Sequence, residues 1–400
     1  MIVEPRSTFW IGLDDTDERE YGCTTHDFNH LLNMLTDYRV KIEDPRLVRL
    51  WPFAPRRTRG NAALAAKITV PNLLNIEEIL TQWFEERFAE NICGQEIHSA
   101  QPVLILTEEQ FPEEIYIETV RKQVKLEDRL LVLESETNRI WFTDSGASGA
   151  IGASAAIAWR GFEDWTWECT VWRDTINERL VPEKSVDEML QKYGGVLLNR
   201  DPNAGKNLIA PRTPCPVLYG IRGEEAETVE KAHMYLQSNG SELCADYRVF
   251  RTNQATDDHI SSTRKSVVSS TKILQGGHTL ILADCEMICF SQSGDVSKLA
   301  QKLREGDCIE WSGLQNLDGT YHIEKLRLLQ GSRNRARPIC KCGSRFKSQG
   351  KSQPLRCKNC GQQHADSWEA DIVKSDWKEP TTANRRHLAK PLSRKGKYEV

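Results

Sequence analysis

The chain has 400 residues, 39% of them hydrophobic and 28% charged, a globular composition too long for one ordinary core, which predicts about two to four domains. No apolar run approaches the roughly 18 residues of a membrane span, and "MIVEPRSTFW" lacks the basic-then-apolar order of a secretory signal, so a soluble, cytoplasmic protein is expected. The net charge of −4 conceals a split, because residues 331–400 carry 17 Lys+Arg against 6 Asp+Glu and the remainder of the chain is acidic.

From the N-terminus, "STFWIGLD" reads as a strand running into Asp14, Asp15 and Asp17, and Thr24 or Thr25 is expected to cap the amphipathic helix "HDFNHLLNMLTDY". Carboxylates crowded at the end of a strand repel one another, and a divalent cation relieves the repulsion. Mg2+ takes one or two carboxylates plus phosphate oxygens, so the loop reads as a nucleotide-phosphate site, with the helix N-terminus after Gly22 adding N–H donors. The competing reading is a capped, aspartate-rich turn.

"PRLVRLWPF" and "GNAALAAKITV" read as strands and "IEEILTQWFEERF" as a helix. Between the strands, Arg56, Arg57 and Arg59 precede Gly60 and Asn61, either to clamp phosphate beside a close backbone approach or as a solvated surface. From Thr143, "TDSGASGAIGASAAIAW" is a loop feeding a helix of small residues. Its Gly146, Gly149 and Gly152 suit a phosphate cradle or tight helix packing equally well. Alternating strands and helices argue for an α/β layer.

A second unit begins near Trp165, where "WTWECTVWR", a helix around 186–192, "CPVLYGIRG", "EEAETVEKAHMYLQS" and "DYRVFRTNQ" alternate as in a small ferredoxin-like fold. A third, from about Lys265 to Leu329, shows short strands with one helix-like break at "DVSKLAQKL", as in a five-stranded OB barrel. The basic linker "GSRNRARP" leads to "CKCG" and "CKNCG". Cys340, Cys342, Cys357 and Cys360 thus form two close pairs around a 14-residue insert, the pattern of a zinc ribbon, with free or redox-active thiols as the alternative and His364 as a substitute ligand. The other eight cysteines read as small buried hydrophobes. The basic C-terminal region is a candidate phosphate-binding surface, or else a solvated tail.

Taken in order, "GLDDTD....GCTT", "RTRGNAA", "PVLYGIRGE", "FRTNQATDDHI", the OB-like segment, the four-cysteine ribbon and "RRHLAKPL" resemble the archaeal TiaS family, the tRNA-Ile 2-agmatinylcytidine synthetases, over nearly the whole chain. The resemblance implies an ATP-dependent ligase. It phosphorylates the C2 carbonyl oxygen of the wobble cytidine in the CAU-anticodon isoleucine tRNA, and the amine of agmatine then displaces phosphate to give agmatidine, which pairs with A. ATP ends as AMP and two phosphates.

The same resemblance implies ATP, Mg2+ and Zn2+ as cofactors, tRNA and agmatine as partners, and no membrane. Asp14, Asp15 and Asp17 would hold Mg2+ and phosphates, with Thr24 at the γ-phosphate and itself a candidate acceptor, and Arg59 beside them. Thr16, Gly22, Thr25, Arg56, Gly60, Asn61, Gly146 and Gly149 would contact the nucleotide, although the glycine loop matches the family only loosely. Arg57 stands where lysine is usual and His26 where an aromatic is usual. Arg251, Asn253 and Gln254 read as a binding surface. The implied fold is multidomain α+β: a kinase-like α/β catalytic domain (1–162), a ferredoxin-like domain (163–262), an OB-fold (263–330), a zinc ribbon (331–366) and a basic tail (367–400). On the residues alone, a metal-dependent RNA nuclease and a non-enzymatic OB/zinc-ribbon RNA-binding protein stay open, as does the oligomeric state.

Overall fold

The computed structural model describes residues 5–17, 22–57, 60–88, 100–175, 178–202 and 205–395. They divide into unit one, Met1–Ser261 with Thr381–Val400, and unit two, Ser262–Pro380. Unit one contains β1 (Arg6–Asp14), α1 (Thr24–Asp37), β2 (Lys41–Arg49), β3 (Ala62–Pro71), α2 (Ile76–Phe88), β4 (Val103–Thr107), α3 (Glu113–Arg121), α4 (Leu126–Leu133), β5 (Asn138–Phe142) and α5 (Gly149–Ala158). It continues through β6 (Thr166–Trp172), α6 (Glu183–Lys192), the short pair β7 (Arg200–Asp201) and β8 (Lys206–Asn207), β9 (Val217–Gly223), α7 (Ala226–Ser238) and β10 (Asp246–Thr252).

Eight of these strands make one sheet in the order β5-β4-β1-β3-β2-β10-β6-β9. The stretches that read from sequence as separate units therefore share a sheet. They join where β10 runs parallel to β2, Arg251 opposite Arg46 and Thr252 opposite Leu47. Composition carries no sign of this, because strands about 200 residues apart in sequence find each other only through folding.

Period-two alternation sorts β1 and β3 between two cores. Trp10, Ala63 and Ala65 face α3 and α5, while Ile11, Leu13, Leu64 and Ile68 face α1 and α2 with Phe28, Leu31, Leu35 and Trp83. On the α5 side the contact is small against small. A Cβ on Gly12 would lie 2.7 Å from the carbonyl oxygen of Ala153, so the helix rides directly on the strand and its first turn ends beside Asp14. The α1 helix buries its 3.6-period stripe as read, but it starts at Thr24 behind Cys23 as N-cap, with no side-chain cap. Neither threonine caps it.

Part of the expected basic tail is folded against unit one rather than solvated. Residues 381–395 return to unit one, where Leu388 enters the α5 core and the carbonyls of His387 and Leu388 accept the N–H groups of Ala255 and Asp257, both at 2.8 Å. Arg394 is 1% exposed and spans Asp164 (Nη2–Oδ1 2.8 Å) and Glu224 (Nε–Oε1 3.0 Å). Lys390 Nζ lies 3.0 Å from Asp164 Oδ2. These cations are spent on carboxylates of unit one.

Unit two contains β11 (Arg264–Val267), β12 (Ser270–Ile273), β13 (Thr279–Leu282), β14 (Glu286–Cys289), α8 (Asp295–Ala300), β15 (Cys308–Gln315), β16 (Tyr321–Ala336), β17 (Leu355–Arg356), β18 (Gln363–His364) and β19 (Glu369–Val373). Its sheet runs β11-β15-β16-β14-β13-β12 around Met287, Val296, Ile309, Trp311 and Leu326. Six strands rather than five form this path, because "SVVSSTKIL" and "HTLILADCEMICF" each break into two. "GSRNRA" is not a linker but the end of β16, supplied with backbone partners by β19 from beyond the ribbon.

Arg394→Ala should cost unit one about 3 kcal/mol or more, since it leaves Glu224 and Asp164 buried with their pairing reduced. Urea unfolding of the full chain reads this directly, and an unchanged midpoint would remove the tail from the fold of unit one.

Candidate active site

β1 delivers Asp14, half-buried, beneath α5, and the chain then turns sharply, with Asp15 in the left-handed region at φ 57. Gly22, at φ 75, closes the turn. A Cβ there would lie 2.7 Å from Thr16 O and 2.9 Å from Asp17 Cα. The first hydrogen bonds of α1 run from His26 and Asp27 to the Cys23 carbonyl at 2.9 and 3.0 Å, so the amides of Thr24 and Thr25 belong to the open helix end, where anions are favoured.

Asp14, Asp15, Asp17, Thr24, Arg56, Gly60 and Asn61 all line one cleft of about 660 Å3. Thr24 donates its hydroxyl to Asp17 Oδ1 at 3.0 Å, and Arg56 Nη2 approaches Asp15 Oδ2 at 3.8 Å. Burial, reinforced by the charges of Asp15 and Asp17, holds the Asp14 carboxyl well above the usual carboxylate range. The three carboxylates do not converge into a ready cage, as the four cysteines do within 4.8 Å. They suit a cation held by one or two of them together with ligand oxygens.

Gly60 and Asn61 are left-handed, at φ 73 and 44. The Gly60 carbonyl accepts Arg49 Nη1 at 3.0 Å, and a Cβ on Gly60 would collide with that guanidinium group. Asn61 Nδ2 donates to Trp51 O at 2.8 Å. This turn therefore aims Arg49 into the cleft.

The sequence reading missed the cleft's charged floor. Arg49 and Arg222 converge on Glu168 at 3.6 and 3.4 Å, with Gln254 donating its side-chain amide to the same oxygen and Thr170 donating to Oε1 at 3.3 Å. Burial opposes ionisation of Glu168, yet Arg49 and Arg222 together hold its carboxyl below the usual value. His387, brought by the returning C-terminal segment, also lines the cleft. The nearby Arg49 and Arg222 guanidinium groups push its pKa downward. Arg49 Nε and Trp51 Nε1 are buried with no acceptor among the described residues, leaving donors for a ligand. The charges inside three otherwise apolar segments, Arg46 and Arg49 in "RLVRLW", Glu168 in "TWECTVW" and Arg222 in "VLYGIRG", were the available signal.

Several expected contacts are otherwise engaged. Thr16 is turned away, its hydroxyl donated to Asp27 Oδ2 at 2.6 Å, and Arg87 Nε holds the other oxygen of Asp27 at 3.0 Å. The Thr25 hydroxyl accepts Trp172 Nε1 at 3.2 Å and meets Cys23 Sγ at 3.1 Å. The glycine loop has no free cradle: Gly146 N–H donates to Thr143 O (3.0 Å), Gly149 N–H to Gln101 O (3.2 Å) and Ser148 N–H to Gln101 Oε1 (3.1 Å). Its glycines serve packing. A Cβ on Gly149 would lie 2.7 Å from Asp14 O, and one on Gly152 would collide with the Asp14 carboxylate.

Arg251, Asn253 and Gln254 are not a surface. Arg251 grips both oxygens of Asp44 at 2.8 Å, and Asn253 and Gln254 are buried. Arg59 lies outside the described residues.

In the ribbon, Cys340 and Cys360, and Cys342 and Cys357, have Sγ–Sγ separations of 3.4 Å, a donor set that fits a tetrahedral thiolate metal site. The ligand atoms that lie within 4.8 Å of one another are the four cysteine sulfurs, without His364, whose Nδ1 pairs with Ala365 O at 2.8 Å. The only buried cluster there is Cys340, Phe346, Leu355 and Cys357 among the described residues.

Carboxylates, a threonine and guanidinium groups around one cleft, on a chain with a separate four-cysteine ribbon, define a multidomain α+β enzyme. The chain matches the TiaS TCKD domain over residues 10–80, the TiaS FLD domain over 147–259 and the TiaS C-terminal zinc ribbon domain over 337–373. The tRNA(Ile2) 2-agmatinylcytidine synthetase TiaS of Methanosarcina mazei is 30% identical, with 98% of each chain covered. Crystal structures of a TiaS-tRNA(Ile2)-ATP complex and a TiaS-tRNA(Ile2)-AMPCPP-agmatine complex are 26% and 25% identical, both with TM-scores of 0.76 and covering 98% of this chain and 99% of the other. The chain belongs to the TiaS family.

Gly152→Ala tests the close approach. Alanine ordinarily gains a helix about 0.5–1 kcal/mol over glycine, whereas here the methyl group meets the Asp14 carboxylate, so stability should fall by about 1–3 kcal/mol. A variant that unfolds at higher urea than the parent would refute the packing.

Proposed function

We propose that this chain forms 2-agmatinylcytidine at the wobble position of the CAU-anticodon isoleucine tRNA, using ATP and agmatine, in the cytoplasm. The observation that carries the reading is the gathering of Asp14, Asp15, Asp17 and Thr24 at the open end of α1 in a single cleft. Relatives that share nearly its full length carry that name. One phosphoryl group of ATP goes to the cytosine C2 oxygen and leaves with that oxygen as phosphate when agmatine nitrogen bonds to C2, and water takes up the other to give the second phosphate, so ATP ends as AMP and two phosphates.

Within the cleft, the amides at the start of α1 receive phosphate oxygens, and Arg56 adds charge opposite Asp15. Asp17 orients the Thr24 hydroxyl and is placed to take its proton if Thr24 accepts a phosphoryl group. Asp14, Asp15 and Asp17 would hold Mg2+, which neutralises phosphate charge when bound. Half-buried, mutually repelling carboxylates favour that role. Arg49 and Trp51 supply donors from the floor, and His387 stands at the same cleft beside the two arginines. Cys340, Cys342, Cys357 and Cys360 would hold Zn2+, which takes the place of a core too small to fold the ribbon alone. The kinase-like, ferredoxin-like and OB labels describe residues 1–162, 163–262 and 263–330 under this reading.

Mass spectrometry of the wobble nucleoside after incubation with CAU-anticodon tRNA, ATP and agmatine should reveal the agmatine adduct, and its absence would end the proposal. Asp14→Asn should abolish incorporation while leaving apo stability equal or higher, because it removes a charge that its neighbours repel. A variant that melts earlier yet modifies tRNA at the parent rate would reduce the loop to a turn. Elemental analysis should find about one zinc per chain, lost in Cys357→Ser. Zinc-free parent protein would count against the ribbon assignment.

A further inference from the structure

Unit one has a second hollow of about 370 Å3 that shares no lining residue with the cleft. Arg46, Arg160 and Arg251 line it together with Phe162 and Trp165. Asp44 alone answers two of these cations: Arg46 Nε donates to it at 2.8 Å and Arg251 holds both of its oxygens. Their guanidinium planes rest on aromatic faces, Arg46 over Trp10 at 4.1 Å and Arg251 over Trp159 at 4.9 Å.

The third cation has no such answer. Arg160 Nε is buried with no partner among the described residues, and its guanidinium lies 5.6 Å from the Phe162 ring. Phe162 itself is 70% exposed. It is presented by a left-handed Gly161 at φ 60, where a Cβ would lie 2.8 Å from the Trp159 ring. Three guanidinium groups against one carboxylate leave the hollow positive. Burial, followed by the charges of Arg251 and Arg160, pulls Arg46 down to about 10 in spite of Asp44.

We propose that this hollow binds one unpaired nucleotide of the tRNA, its phosphate on Arg160 and its base stacked on Phe162. The proposal rests on the reading that tRNA is the substrate. A free inorganic anion would use the guanidinium groups but not the projecting ring, whereas an unstacked nucleotide uses both. A paired nucleotide keeps its base in the helix, so the contact falls in a loop or at an end.

The test is the affinity of the full chain for CAU-anticodon tRNA-Ile transcript across a salt series, for the parent, Arg160→Ala, Phe162→Ala and Phe162→Tyr. Arg160→Ala should weaken binding about tenfold and lower the salt slope by about one. Phe162→Ala should weaken it about tenfold with the slope unchanged, and Phe162→Tyr, which keeps a stacking face, should restore it. ATP affinity and melting temperature should not move, which separates this role from a structural one. Both alanine variants binding tRNA within twofold of the parent would overturn the proposal, and so would a loss of ATP affinity in place of tRNA affinity. The adduct assay above judges the enzymatic reading separately, since binding is measured here without turnover.

Discussion

The site depends on how closely α5 approaches β1. Gly12 admits the Ala153 carbonyl, while Gly149 and Gly152 admit the backbone and carboxylate of Asp14. Any side chain at these positions would hold the helix away from Asp14. With the gap closed, Asp14 is half-buried among like charges, and a carboxylate in that state has more to gain from a cation than one on an open loop. The small-residue helix is thus part of the electrostatics of the cleft, although it contributes no charge.

The second organising feature is that buried charges are matched across distant parts of the chain. Glu168 on β6 answers Arg49 on β2 and Arg222 on β9, so the floor exists only once all three strands lie in one sheet. The C-terminal segment repeats the device: Arg394 and Lys390 are held by Asp164 and Glu224, which places His387 at the cleft. Ions buried in this way are costly to leave unpaired, and that cost gives the pairing its specificity. A segment distant in sequence is thereby made part of the catalytic unit.

Unit two organises itself differently. Its sheet has an ordinary apolar core, while the ribbon buries only a handful of side chains and relies on four converging thiolates. Between them β16 is continued by β19, so a stretch that looks like a basic linker is ordered by strand pairing. Backbone hydrogen bonding, rather than side-chain hydrophobicity, sets that boundary.

Local chemistry was legible in the residues. The period-two and 3.6-residue patterns located β1, β3, α1 and α2, the aspartate loop and the arginine-glycine turn were recognisable, and the cysteine spacing marked the ribbon. These features depend on neighbours a few positions apart. What a residue faces was not legible. Thr16 looked equivalent to Thr24 but is committed to Asp27, and Thr25 lines the cleft with its hydroxyl held by Trp172. The glycine loop looked like a phosphate cradle, but its amides are spent on Gln101 and Thr143. Arg251, Asn253 and Gln254 looked like one surface, but Asn253 and Gln254 are buried and Arg251 is held by Asp44. The sequence by itself determined the elements with a clear apolar period, such as β1, β3, α1 and α2, where carboxylates and thiolates cluster, and which family the chain resembles. Only the tertiary structure decided the joining of β2 to β10, the Arg49–Glu168–Arg222 floor, the return of the C-terminus and the second basic hollow, because each brings together groups far apart in the chain, and the free energy that selects such pairings appears only when the sheet closes around them.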